Sequence, residues 1–119
     1  MSIQARFEFV LEYVTDIEAA RQFYVDLLGL KVERYHPTFV QFEHFAIASD
    51  ESVSGKRTPE HYWVVQDAEI ALQELSQKAE IVIPLTQKPF GKVFAIMDPA
   101  GELLYLLEYA RNRPSQTAS

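Results

Sequence analysis

Val14-Thr15-Asp16-Ile17-Glu18-Ala19-Ala20 and Val65-Gln66-Asp67-Ala68-Glu69-Ile70-Ala71 carry the same pattern twice. Val, Asp, Glu and Ala recur in one spacing, each 51 positions further on. An apolar run precedes the Asp in both copies, and a helical periodicity follows it. Two copies of one strand-helix unit predict two similar modules built into one chain.

Working outward from the first copy, Phe7, Phe9, Leu11 and Tyr13 alternate with Glu8, Val10, Glu12 and Val14, which predicts a strand. Asp16 is the expected N-cap, because its carboxylate can accept from a free amide of the next turn. Ala20, Phe23, Tyr24, Leu27 and Leu28 share one helical face and are expected to be buried. Gly29 is the expected stop, since glycine takes the left-handed cap at least cost. Three short strands should follow at about 30–35, 39–43 and 45–49, separated by a His36-Pro37-Thr38 turn and a tight turn at His44. The polar, turn-rich stretch 50–59 is the expected linker between the halves and is expected to be mobile.

Around the second copy, Glu60 to Val65 is the counterpart of the first strand. Asp67 should cap a second helix with Ala71, Leu72, Leu75 and Ala79 inward. Strands are expected at about 81–85, 93–97 and 103–109, with Asp98-Pro99-Ala100-Gly101 turning between the last two. Residues 110–119 read as a frayed tail. The expected order is β-α-β-β-β, twice: a single domain of an α+β class, with module one at about 7–49 and module two at about 60–109.

Composition narrows the functions. The 119 residues carry a formal net charge of −6, which argues against nucleic acid or an anionic membrane surface as partner. There is no cysteine, so disulfides, thiolate metal sites and cysteine nucleophiles are excluded. No signal peptide or long apolar span is visible, and a soluble cytoplasmic protein is the expectation. Six Tyr, eight Phe and one Trp supply bulky apolar surface for a core or a binding site.

Val14-Thr15-Asp16 with Phe23-Tyr24 and Leu28-Gly29-Leu30 resembles the "V-x-D…FY…LG" signature of the vicinal oxygen chelate superfamily. That superfamily includes glyoxalase I, bleomycin resistance proteins and extradiol dioxygenases. Asp98-Pro99-Ala100-Gly101, followed by Leu103 to Glu108, resembles its C-terminal "DPxGN…E" hairpin. The resemblance runs from about Phe7 to Tyr109. It implies two βαβββ modules forming an eight-stranded, cup-shaped sheet, the glyoxalase/bleomycin resistance/dioxygenase fold, usually within a homodimer.

The resemblance also implies where a divalent metal would be held by His, Gln and Glu. Carried onto this sequence, those positions are Phe9, Glu60, Tyr105 and, with the least certain alignment, Ala46 or Ala48. Only Glu60 ligates readily, and one carboxylate does not make a transition-metal site. His36 and His44 fall in or beside turns. His61 is one residue out of phase with Glu60, hence on the opposite face of its strand unless a bulge intervenes. No metal and no other cofactor is expected, with an unusual metal set including Glu60 as the alternative.

By register, Phe9, Leu11 and Tyr13 point to the inner face of the first module. Glu60, Tyr62, Leu103, Tyr105 and Leu107 do so in the second, and Gln41 is a further candidate. Such a lining, apolar and aromatic with a few polar handles, suits a small-molecule ligand. The same aromatics could instead fill the interior. Glu60 could anchor a cationic or hydroxylated ligand or act as a general acid/base. The alternative is that it reaches solvent or an arginine from its place beside Pro59. Glu12 lies on the face expected to pack on a helix, where a carboxylate needs a partner. Trp63 reads as a core or interface residue. The leading expectation is a metal-independent binder of a small apolar or aromatic molecule. A lyase, isomerase or dioxygenase is the second, and a filled structural or partner-binding module the third.

Overall fold

The structure is a computed structural model that describes residues 4–110. The expected tail lies outside the described residues beyond Ala110. Eight strands and two helices are described: β1 Arg6–Tyr13, α1 Ile17–Gln22, β2 Arg34–His36, β3 Phe39–Gln41, β4 Phe45–Ala48, β5 Glu60–Val64, α2 Ala68–Leu75, β6 Ile81–Lys88, β7 Gly91–Met97 and β8 Leu103–Tyr109. The order β-α-β-β-β therefore occurs twice. The described residues form two compact units, one of residues 9–59 and one of residues 4–8 with 60–110, so the division falls inside β1.

In the 9–59 unit the strand order is β2-β3-β4-β1, with β4 and β1 parallel and the other pairs antiparallel. Asp16 caps α1, its Oδ1 accepting from Ala19 N at 3.0 Å. The helix does not continue as a regular α-helix. Phe23–Leu27 forms a π-helical turn, and this displaces the expected inward face. Ile17, Ala20, Tyr24 and Val25 pack on buried Val40, Phe42 and Ile47. Phe23, Leu27 and Leu28 instead face outward, Leu27 with 72% of its surface exposed. The expectation that these three are buried is thus corrected. A π turn widens the repeat beyond 3.6 residues, so a face drawn at helical spacing drifts off the core. Gly29 follows at φ 74°, as a left-handed cap requires.

β2 is shorter than its sequence pattern suggests. Leu30 and Val32 pack into the same cluster without strand pairing. Glu12 finds its partner in Tyr24, whose hydroxyl donates to Glu12 Oε1 at 2.8 Å. Burial, followed by this hydrogen bond and the carboxylate's charge, raises the Tyr24 pKa above its usual value.

In the other unit the order is β5-β8-β7-β6, with β5 and β8 parallel and the rest antiparallel. Asp67 Oδ1 accepts from Ile70 N at 3.0 Å. Glu108 adds a second acceptor at the same helix end, its Oε1 taking the Ala68 amide at 2.8 Å. Two carboxylates thus satisfy amides that the helix cannot. Val65, Ala68, Ala71, Phe94, Ile96 and Leu106 form the core beneath α2, with Trp63, Leu72, Leu75 and Ala79 packed against them. The inward set Ala71, Leu72, Leu75 and Ala79 matches the expectation from periodicity.

β6 and β7 are longer than expected and are joined through Lys88 to Gly91, a hairpin that the sequence reading missed. β6 tolerates Pro84 because it lies at the edge of its unit, within a stretch where the register to β7 shifts. The Asp98 turn is held by its own side chain: Asp98 Oδ1 accepts from Ala100 N at 2.8 Å and Glu102 N at 2.9 Å. No described helix is long and apolar enough to cross a membrane.

Candidate functional site

Strand parity sorts the candidate residues, because side chains alternate across a sheet. In the 9–59 unit, Leu11 pairs with Ala46 and Tyr13 with Ala48 on β4. Ala46 in turn pairs with Gln41, and Ala48 with Phe39. Gln41 pairs with Arg34. One face of this sheet therefore carries Phe9, Leu11 and Tyr13, then Ala46 and Ala48, then Phe39 and Gln41, then Arg34. Its other face carries Val40 and Ile47 against α1. Gln41 does share a face with Phe9, Leu11 and Tyr13, as expected, and it is buried.

The two alanines at the centre of this face are buried. Phe9 and Phe39 lie with ring centroids 5.8 Å apart. Tyr13 receives a cation on its ring, the Arg57 guanidinium, 5.5 Å from the centroid. Neither Phe39 nor Arg57 was singled out from sequence. Phe39 could have been found by extending the alternation from Gln41. Arg57 carries no periodic signal, because it stands in the 50–59 loop.

In the other unit, Tyr62 pairs with Tyr105 and Val64 with Leu107 across parallel β5 and β8. The rings of Tyr62 and Tyr105 stack at 5.0 Å with 27° between their planes. Glu60 lies two residues before Tyr62 and has only 3% of its surface exposed. The Tyr62 hydroxyl donates to Glu60 Oε1 at 3.0 Å. Solvent is therefore not where Glu60 goes. On β7, Val93, Ala95 and Met97 pair with Leu107, Tyr105 and Leu103, completing an apolar face around Glu60 and the two tyrosines. Leu103 is half-buried, whereas Tyr105 and Leu107 are buried. The opposite parity, Leu104, Leu106 and Glu108, faces α2.

The histidines stand elsewhere. His36 Nδ1 accepts from Thr38 N at 3.2 Å in its turn. His44 is exposed beside Glu43. His61 lies on the face opposite Glu60, where its Nδ1 accepts from Trp63 Nε1 at 3.1 Å. That hydrogen bond places the remaining imidazole proton on Nε2. Trp63 packs edge-on to Phe7, ring centroids 5.3 Å apart, and against the core beneath α2. Among the described residues no three His, Asp or Glu side chains gather closely enough to hold one ion.

The fold agrees with what comparison finds. The glyoxalase-like domain family matches residues 7–108, and the chain belongs to that family. It has the α+β fold of the glyoxalase/bleomycin resistance/dioxygenase superfamily. A superfamily member from Vibrio splendidus is 23% identical, with a TM-score of 0.64 over 88% of this chain and 99% of that one. A Legionella pneumophila protein named as an NAD-dependent benzaldehyde dehydrogenase is 25% identical, with a TM-score of 0.73 over 87% of this chain and 99% of that one. The E323L mutant of homoprotocatechuate 2,3-dioxygenase from Brevibacterium fuscum is 19% identical, with a TM-score of 0.54; 92% of this chain spans 33% of that one. No curated protein gives a significant match. The chain's four glycines, at 29, 55, 91 and 101, are too widely spaced for the G-x-G-x-x-G dinucleotide fingerprint.

Proposed function

We propose that this glyoxalase-like protein binds a small apolar or aromatic molecule, with the Glu60–Tyr62 pair as its polar anchor. The supporting observation is the buried Tyr62-to-Glu60 hydrogen bond on a face otherwise lined by Tyr105, Leu103 and Leu107. The Tyr62 hydroxyl fixes the orientation of the buried Glu60 carboxylate. Within the 9–59 unit, Phe9, Leu11, Tyr13 and Gln41 share an apolar face with one amide.

The proposal includes binding without a divalent ion. The donor set that the superfamily resemblance implies does not fit one. Phe9 has no donor atom, and the Glu60 oxygen is engaged by Tyr62. Equilibrium dialysis of the purified protein against a panel of aromatic compounds, followed by elemental analysis, tests both parts. Binding in metal-stripped protein is the expected result. A stoichiometric metal, or binding that depends on one, overturns this reading.

The same hydrogen bond favours a second reading, acid/base catalysis by Glu60 with Tyr62. Glu60→Gln keeps an oxygen to accept from Tyr62 but removes the base. Turnover lost with binding retained distinguishes the enzyme from the binder. We further propose that the protein is a homodimer, supported by the exposed apolar Phe23, Leu27 and Leu28.

A further inference from the structure

Trp63 is the only tryptophan in the chain, and its indole is held from two sides. Its Nε1–H donates to His61 Nδ1 at 3.1 Å, and its ring meets Phe7 edge-on, with centroids 5.3 Å apart. Phe7 belongs to residues 4–8, the piece of β1 that joins the 60–110 unit. The indole also packs on the core beneath α2. One side chain thus ties that piece of β1 to β5 and to the core, and its orientation depends on an acceptor that can take a proton.

Only a neutral imidazole can serve here. A ring nitrogen that accepts carries no hydrogen, whereas both nitrogens of an imidazolium donate. A proton on Nδ1 sets two N–H groups against each other, and the indole has to turn away. His61 is half-buried, so protons reach it from solvent. The charged groups on the elements packed around it have partners of their own. Glu60 turns to the opposite face and is held by Tyr62. On β8, Glu108 takes the Ala68 amide. On β7, Lys92 lies 3.6 Å from Glu69 of α2. On β1, Glu8 accepts from the Tyr109 hydroxyl at 2.6 Å and lies 3.7 Å from Arg6. The α2 residues that pack on this core, Ala68, Ala71, Leu72 and Leu75, carry no charge. We propose that His61 and Trp63 form an acid-sensitive latch that holds residues 4–8 against β5 and loosens them when Nδ1 takes a proton.

The test follows Trp63 fluorescence and amide exchange on the full chain from about pH 8 to about pH 5, the range in which an imidazole changes charge. One fluorescence transition is expected. Exchange at Arg6, Phe7 and Glu8, corrected for its intrinsic pH dependence, should be about tenfold faster on the acid side, the worth of one hydrogen bond. Far-UV circular dichroism should stay constant. His61→Asn puts an amide oxygen near the Nδ1 position, where it accepts from Trp63 without titrating; the transition should vanish and residues 6–8 stay protected throughout. His61→Phe removes the acceptor and should give fast exchange at both ends of the range. A transition that survives in His61→Asn overturns the proposal. So does a fluorescence change without faster exchange, which makes Trp63 a reporter only, or a parallel loss of circular dichroism, which is global unfolding. Nitrogen NMR of the His61 ring decides without any variant: Nδ1 should be bare at pH 8 and gain its proton through the same transition, and a proton already on Nδ1 at pH 8 overturns the latch.

Discussion

Asp16 and Asp67 hold their helices by the same bond. Each accepts through Oδ1 from the amide three residues on, and both distances are 3.0 Å. The sequence repeat is thus a repeat of hydrogen bonding as well as of letters. Asp16→Ala should cost about 1 kcal/mol, the usual value of such a cap. Asp67→Ala should cost a similar amount, and adding Glu108→Ala should increase the loss, because Glu108 caps a different amide. Urea denaturation measures each difference. A double variant no less stable than Asp67→Ala would show that Glu108 contributes nothing there.

Gly91 admits no side chain. It sits at φ 150°, and a Cβ built on it would lie 2.1 Å from the Glu108 carbonyl oxygen. That neighbour is backbone in the paired strand and cannot swing aside. Gly91→Ala should destabilise by about 3 kcal/mol or more, placing it among the severe single changes. Gly55, which has open space around its Cβ position, should tolerate the same change better despite its φ of 81°. Comparable losses at both sites would contradict the packing argument.

Tyr24 predicts an alkaline signature. Its pKa is raised in the folded state, chiefly by burial and then by its bond to Glu12. The unfolded chain therefore loses this proton first as pH rises. The stabilisation is complete below the usual tyrosine value of about 10 and is lost as pH climbs through the folded value. Tyr24→Phe should be less stable at neutral pH by about 1 kcal/mol. It should also show a shallower loss of stability from about pH 9.5 to pH 11. Parallel pH profiles for the two proteins would exclude this coupling.

Tyr62→Phe tests the anchor. Removing the hydroxyl deletes the buried bond to Glu60 but keeps the ring on Tyr105. We expect a stability loss of about 1–3 kcal/mol and weaker binding of ligands that carry a hydroxyl or amine. Purely apolar probes should be affected less. Unchanged affinity for both kinds would remove Glu60–Tyr62 from the proposed site.

Light scattering at micromolar concentration should give twice the chain mass if the exposed Phe23, Leu27 and Leu28 are covered by a second copy. Leu27→Ser would then weaken association more than it affects the fold. A monomer mass refutes the dimer.

Much of this was legible in the sequence because it is local. The caps at Asp16 and Asp67, the stop at Gly29, the Asp98 turn and the parity of β1, β5 and β8 all depend on neighbours within a few residues. Periodicity failed where the backbone left its standard period. The π turn at Phe23–Leu27 moved Leu27 and Leu28 to the surface and brought Val25 inward. Leu30 and Val32 read as strand because they are apolar, yet they pack without pairing. The Lys88–Gly91 hairpin was missed because the Gly91 signal is a close approach to Glu108, distant in sequence. Arg57 over Tyr13 was invisible for the same reason: a loop residue's destination is set by tertiary structure.

The parallel pairings, β1 with β4 and β5 with β8, set an order of assembly. In each unit three successive strands zip through short hairpins, while the parallel pair must bring together segments far apart in the chain, an entropic burden that slows its formation. The meander β6-β7-β8 should therefore gain amide protection before β5 docks, and β2-β3-β4 before β1 does. Pulse-labelling during refolding would reveal a module whose founding strand is the last to find its place.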